Sequence, residues 1–495
     1  MRIGVLPVDS RPCNQSFVAD LGNIYGQIEI DTLPKKDCGY FMEGANPEVV
    51  RDFLMNGAPQ WDYLLLSVDM LCYGGLIQAR SISLETDQNY EENRLLLLKE
   101  LKSINPQLKI LGFSVIMRLS ITASSSDYLE HWKNIASYSK YAHLAKLNHK
   151  KYADILQEYK RKIPQDLLRN YLAARERNHL INQKCIDYVN ENIIDYLDLC
   201  QEDSEADGLQ IIEQTALREK ITKLDLGNKV VIKNGTDEEV SLLFARCINE
   251  NAKAKPNIYV HYMRKKNDFV ALYEDRPLIE NLEKSMVSSN VQIVSNIAAC
   301  DFVLLVSPFP DKQMDLMFDN DNELELSKQM LYELETIKGY PYAFLDITYA
   351  NGGSLALLSN IISVLGIEKL SAYSAWNTAS NSIGTVLGQL SALYQRGEEA
   401  DPTANLSFLI ERIIDDCFYQ GVVRNVLNNQ LKREGEDVWN FSLPKRTVEE
   451  KLLPLLNKTT DTFLEKYYPE LNVGLTASFP WNRTFELDVN VTIKK

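Results

Sequence analysis

The residues of this chain that can do chemistry are carboxylates, arginines and amides, and they sit just after short apolar runs. Ile3–Pro7 leads into Val8-Asp9-Ser10-Arg11-Pro12-Cys13-Asn14, and Tyr63–Val68 leads into Asp69-Met70 and then Tyr73-Gly74-Gly75. Ile110–Met117 is followed by Arg118, Ile194–Cys200 by Gln201-Glu202-Asp203-Ser204, and Lys229–Lys233 by Gly235-Thr236-Asp237-Glu238. One acid after a strand is commonly a helix N-cap. Several on one rim make a candidate site. Adjacent carboxyls in unlike environments can keep one proton and one charge between them. Glycoside hydrolysis uses such a pair, or one acid plus a carboxylate that orients the substrate's acetamido group. Glu202 and Asp203 are therefore the expected acid/base pair, with Asp69 as a further catalytic carboxylate. Asp9, Arg11 and Arg118 are expected to hold substrate. Asp237 and Glu238 join them by position, although GTDEE before VSLLFAR also reads as a helix start with acids favoured by the dipole.

Other residues fall into the same chemical class. Arg175, Asn178 and Asn182 recur at i, i+3 and i+7, on one face of a helix, as hydroxyl or carboxylate recognition would require. Asp346 leads into Thr348-Tyr349-Ala350-Asn351-Gly352-Gly353-Ser354, where a glycine pair between strand and helix lets backbone N–H groups approach an anion or a sugar hydroxyl. Trp376 and Asn377 follow the next strand, pairing an aromatic face with an amide as a sugar platform would; a core tryptophan with Asn377 and Asn381 as caps is the competing reading. Pro480-Trp481-Asn482-Arg483 repeats that chemistry near the end of the chain. Neither GxGxxG nor GxxxxGK[ST] occurs, so no nucleotide cofactor is expected. No GxSxG elbow occurs either, and no cysteine pairs with a histidine by motif. With five histidines and no HxH or HExxH, a histidine-rich metal centre is not expected, while an all-oxygen site stays open.

The elements that must position these residues follow from the apolar runs. To the strands above the sequence adds Ile28–Leu33, Ile258–Tyr262, Val291–Ser295, Phe302–Val306, Tyr342–Ile347 and Ala372–Ser374. Continuous apolar runs alternating with helical patterns predict an α/β fold with parallel sheets covered on both faces. Such folds carry their sites at the carboxyl ends of the strands. Residues 1–252 are expected to form one unit, either an irregular (β/α) barrel or an open sheet, interrupted by a helical insertion over 125–192. Residues 253–400 are expected to form a Rossmann-like unit. Residues 401–495 are expected to be a helical appendage ending in a half-exposed antiparallel strand, because the tail alternates as FELDVNVTI.

Composition narrows the partners. The chain has 495 residues, 53 basic and 68 acidic side chains, and a formal charge of −15. Nucleic acids and anionic membranes select for clustered lysine and arginine, so neither is an expected partner. No apolar window is long enough to span a bilayer, and MRIGVLPVDSRP reads as a strand rather than a secretory signal. The eight cysteines are scattered singly, as suits reduced thiols in a cytoplasmic protein. A homo-oligomer remains open.

The segments VLPVDSRPCN, SVDMLCYGGLIQAR, IMR, QEDS, NGTDE, LDITYANGG and SAWNTASNSIG, in this order, resemble a bacterial family known as domain of unknown function 4127. In that family the first motif usually reads Pro-Leu-Asp-Asp-Arg-Pro and the fifth-strand motif a double Asp; here Ser10 and the pair Glu202-Asp203 stand at those places. The diacidic strand end is also similar to that of barrel-type N-acetylhexosaminidases. The expectation is a glycoside hydrolase acting on a small carbohydrate. The alternatives are a metal-dependent hydrolase with Asp9, Asp69 and Asp203 as oxygen ligands, and a sugar- or metabolite-binding protein without catalysis.

Overall fold

Apolar runs without alternation make strands that need cover on both faces, and here they do so twice. The computed structural model describes residues 1–82, 90–122, 128–264, 266–307, 313–317, 326–399 and 401–494. The chain forms two compact units. The first comprises Met1–Gln15, Ile28–Leu243 and Tyr273–Arg276; the second takes Ser16–Gln27, Phe244–Leu272 and the chain from Pro277 onward.

The first unit is built on a six-stranded parallel sheet of β1 (Arg2–Leu6), β2 (Glu29–Thr32), β3 (Tyr63–Ser67), β4 (Lys109–Ile116), β5 (Tyr196–Gln201) and β6 (Val230–Asn234). Its order is β2-β1-β3-β4-β5-β6, with every neighbouring pair parallel. Among the described residues nothing pairs β2 with β6. Of the two expected arrangements the open sheet is the one formed, and the likeness to barrel-type hexosaminidases finds no support in it. The direction of sheet growth reverses between β1 and β3, the kind of crevice where open α/β sheets bind ligands. Leu64, Leu66, Leu197 and Leu199 are fully buried in its core. Gly4 is required in β1 because the Trp61 ring lies against it; a Cβ there would come within 2.4 Å of the ring.

The helical insertion consists of Leu129–Leu147, His149–Lys162 and Gln165–Asn190. Its expected first residues, 125–127, lie outside the described residues. The third helix buries Tyr171, Ala174, Ile181, Cys185, Ile186 and Val189, and contacts β4 and β5.

The second unit carries β7 (Asn257–Tyr262), β8 (Gln292–Ile293), β9 (Phe302–Val306), β10 (Met314–Asp315), β11 (Tyr342–Leu345), β12 (Tyr349–Ala350) and β13 (Leu370–Ser374). Five of these make a parallel sheet in the order β13-β11-β9-β7-β8, while β10 and β12 pair separately. The expected boundary between residues 252 and 253 falls at the end of helix Glu239–Ala252, with β7 following from Asn257. Residues 401–494 share one apolar core with this sheet: Leu409, Ile413, Phe418, Leu452 and Leu456 pack with Val303, Phe344 and Tyr373. The tail is an antiparallel pair, β14 (Asn472–Ser478) with β15 (Asp488–Lys494). None of the eight cysteines is in a disulfide, and only Cys300 is partly exposed. No helix among the described residues is long and apolar enough to cross a membrane.

Candidate active site

The carboxyl ends of β1, β3, β4, β5 and β6 bring the expected polar residues of the first unit together. After β1, the Asp9 carboxylate accepts from Arg11 N at 3.0 Å and Asn14 Nδ2 at 3.0 Å through Oδ1, and from Arg11 Nε at 2.9 Å through Oδ2. The same guanidinium reaches the loop after β6, donating from Nη1 and Nη2 to the two oxygens of Asp237 at 2.8 and 2.6 Å. Arg11 thus ties the ends of two strands through one planar fork.

After β3, Ser67 caps the short helix Val68–Tyr73 by accepting from Met70 N at 3.1 Å. The helix ends at Gly74, whose φ of 82° is the left-handed conformation glycine takes without penalty. Asp69 is fully buried in this turn; its Oδ2 accepts from Val115 N at 2.9 Å and its Oδ1 has no partner. The loop then delivers Arg80, which donates to Thr122 Oγ1 at 2.7 Å and ion-pairs with Glu202. Next along the rim, Arg118 ion-pairs with Asp203 and lies 3.9 Å from Glu202. The loops after β4 and β5 stay in register, with Glu202 N donating to Ile116 O at 3.3 Å and Leu119 N to Asp203 O at 3.0 Å.

Burial and like charge act on this cluster together. Burial pushes the Asp69 carboxyl up to about 7; the Val115 N–H opposes the shift and the Glu202 charge adds to it. Asp237 is pushed up to about 6 by burial, against Arg11 and with help from the charges of Asp9 and Glu202. Glu202 is therefore the electrostatic centre: its charge reaches both raised carboxyls while Arg80 holds it. Its own Oε2 has no partner. Asp203 is the most open carboxylate, with 30 % of its side chain exposed against 8 % for Glu202.

Several expected site residues are committed to holding the frame. Arg175 donates to both oxygens of Glu213, at 2.9 and 2.6 Å, and to the carbonyls of Met117 and Arg118 at 3.1 and 2.6 Å. It positions the strand end that presents Arg118. Asn178 donates to Ala79 O at 2.9 Å, next to Arg80, and Asn182 accepts from Ser114 Oγ at 2.6 Å. The face they share on the helix is a packed one. Glu238 turns inward to Lys233 at 2.7 Å and accepts from Thr236 N at 2.9 Å; Glu239 also pairs with Lys233, and all three side chains are buried. Asp9, Asp69 and Asp203 do not form a set of free oxygen ligands, because Arg11 and Asn14 occupy Asp9 and Arg118 holds Asp203. Among the described residues no three His, Cys, Asp or Glu side chains are grouped to hold a metal ion.

The second unit holds the remaining expected residues. Asp346 is buried and fixes the loop after β11, accepting from Ser354 N at 2.8 Å and Thr348 N at 3.3 Å; burial raises its proton affinity. Asn351 and Asn377 both have φ of 62°, and Asn351 N donates to Asn377 O at 2.8 Å. Trp376 is not an open platform. It is 7 % exposed, and its ring centroid lies 6.1 Å from that of Phe485.

Arg80 was the main omission from the residues. Its signal is GGLIQAR, where an arginine follows the glycine pair that closes the short helix after β3. Lys233 was hidden as the last residue of an apolar run.

No curated protein matches the chain. The family model described as a protein of unknown function, DUF4127, covers residues 3–490, and the chain belongs to that family.

Proposed function

We propose that the rim of the first unit is the active site of a hydrolase that works on a small carbohydrate, a hexosaminide or related oligosaccharide, by carboxylate acid/base chemistry. One observation carries this reading: carboxyls whose proton affinity burial raises share the rim with carboxylates paired to arginines. Burial raises Asp69 to about 7 and Asp237 to about 6, on the same rim where Glu202 pairs with Arg80 and Asp203 with Arg118. Pairs of carboxyls pushed apart in this way divide acid and base duties at neutral pH.

In this scheme a proton passes from a carboxyl to the departing glycosidic oxygen. An ionised carboxylate either takes a proton from water or attacks the sugar carbon itself. Asp203 and Arg118, at the open side, meet the substrate first. Glu202 follows as the ionised partner, and Asp69 behind it supplies the proton-bearing carboxyl. The pairing with guanidiniums shifts the donor role from Glu202 and Asp203, expected from sequence, to Asp69, since Arg11 holds both oxygens of Asp237. Asp9 and Arg11 orient the loops.

A panel of aryl glycosides and oligosaccharides tests it, with wild type beside Glu202→Gln, Asp203→Asn and Asp69→Asn. The expected result is turnover of at least one glycoside and a loss of at least ~100-fold in one of the three variants, the usual scale of general acid/base catalysis. Turnover that survives all three substitutions refutes the roles. Thermal stabilisation by a sugar that is never hydrolysed would instead make the rim a binding site.

A further inference from the structure

The second unit buries a guanidinium that forms no ion pair among the described residues. Arg424 opens helix Arg424–Arg433, straight after the π-helix Ile413–Val423, and is 3 % exposed. Its one hydrogen bond is long, Nη2 to Asn351 O at 3.4 Å, and its Nη1 has no partner. Carboxylates whose charge reaches it are engaged elsewhere. Asp315 accepts from Asn351 Nδ2 at 2.9 Å and Met317 N at 2.8 Å, Asp415 accepts from Arg412 and Gln420 at 3.2 Å each, and Glu486 pairs with Arg483. An uncompensated buried charge is strongly unfavourable. A water can satisfy a free N–H but leaves the charge as it was.

Three further buried polar atoms beside it are also unpartnered: Trp376 Nε1, Asn351 Oδ1 and Gln420 Oε1. Contacts gather these residues. Arg424 lies over the Phe485 ring at 5.7 Å, Trp376 packs on the same ring, and Gln420 Nε2 donates to Phe485 O at 3.1 Å. Trp376 and Asn351 come from segments after strands of the second sheet, where α/β sheets take ligands. The others come from a π-helix and the turn after it, a form that is rare and concentrates at functional sites.

We propose that these residues form a binding site for a small hydroxylated anion. Arg424 and Trp376 Nε1 donate to its carboxylate or phosphate, and the side-chain carbonyls of Asn351 and Gln420 accept from its hydroxyls. The site rests on the second unit alone, so it stands or falls separately from the chemistry of the rim.

Melting the full chain with glucuronate, glucose 6-phosphate or glucose, each against sodium chloride of equal ionic strength, tests it. The expected result is a higher Tm with at least one anion and none with glucose; glucuronate alone marks a carboxylate site and glucose 6-phosphate alone a phosphate site. Trp376→Phe keeps the ring and removes one donor, and should weaken anion binding about tenfold. Arg424→Met should abolish the response and melt higher than wild type without ligand, because the lone charge is gone. No shift with either anion overturns the proposal, as does an equal shift with glucose. So does an Arg424→Met chain that melts lower than wild type or is too unstable to purify.

Discussion

Glu202 and Asp203 are neighbours in sequence, and each ion-pairs with an arginine, yet their surroundings differ. The Glu202–Arg80 pair leaves 8 % and 9 % of the two side chains exposed, and the Asp203–Arg118 pair 30 % and 16 %. Breaking a buried pair by removing one charge costs roughly 3–5 kcal/mol, because the other charge stays behind without compensation. An open pair is worth about 0–1 kcal/mol. Glu202→Gln keeps an acceptor for Arg80, so its cost should sit near the low end, about 3 kcal/mol. Asp203→Asn should cost under about 1 kcal/mol. Urea unfolding of the two variants beside wild type measures both; equal losses would mean that burial does not separate the two pairs. The acidic pair itself was legible in the sequence. What each carboxylate meets was not, since Arg80 lies 122 positions from Glu202 and only folding brings it there.

Elements were easier to read than their contacts. Every apolar run singled out as a strand contributes to one of the two parallel sheets, because a strand covered on both faces leaves a hydrophobic trace in the sequence. The two-residue strands β10 and β12 leave none. The helix Lys445–Tyr467 falls within the expected helical appendage, but its polar composition and Pro454 leave its bounds unmarked; Val448, Leu452, Leu456 and Phe463 give it a core. Gly4 shows how one position inside a legible strand can carry a contact the pattern does not reveal. In Gly4→Ala the new methyl meets the Trp61 ring, whose Nε1 is tied to Asp31 at 2.7 Å. Overpacking of this kind costs typically about 1–3 kcal/mol, and thermal melts of the variant should show it. Lys233 makes a sharper case, since it sits in β6 fully buried between Glu238 and Glu239. Lys233→Met alone should destabilise by roughly 3–5 kcal/mol, leaving two buried carboxylates unmatched. The triple variant with Glu238→Gln and Glu239→Gln should recover part of that loss. A triple variant no more stable than the single one would show that the three charges do not act as a group.

At the scale of the whole molecule, both units repeat one plan, a parallel sheet whose second strand lies outside the first, and both bury carboxyls that resist ionisation. Burial raises Asp69 and Asp415 to about 7 and Glu411 to about 8, with Asp237 at about 6. In the unfolded chain these groups ionise near the ordinary carboxylate value, so between that value and the raised one the folded chain holds more protons. Stability from such groups is complete below the unfolded value and is lost as pH rises through the folded one. His179 and His261 act the other way, because burial lowers their proton affinity, but only below the ordinary histidine value. Above pH about 6.5 the carboxyls act alone, and the buried thiols, raised by burial, push in the same direction at higher pH. Calorimetry from pH 6.5 to 8.5 should therefore show melting temperatures that fall steadily, by roughly 2–4 °C for each kcal/mol lost in units of this size. Asp69→Asn should flatten the first unit's share of the slope and leave that of the second, which Asp415 and Glu411 carry. A melting temperature that holds or climbs across that range would mean these carboxyls are already ionised in the folded chain. Asp69 would then have no proton to give at neutral pH, and the division of labour proposed for the rim would lose its acid.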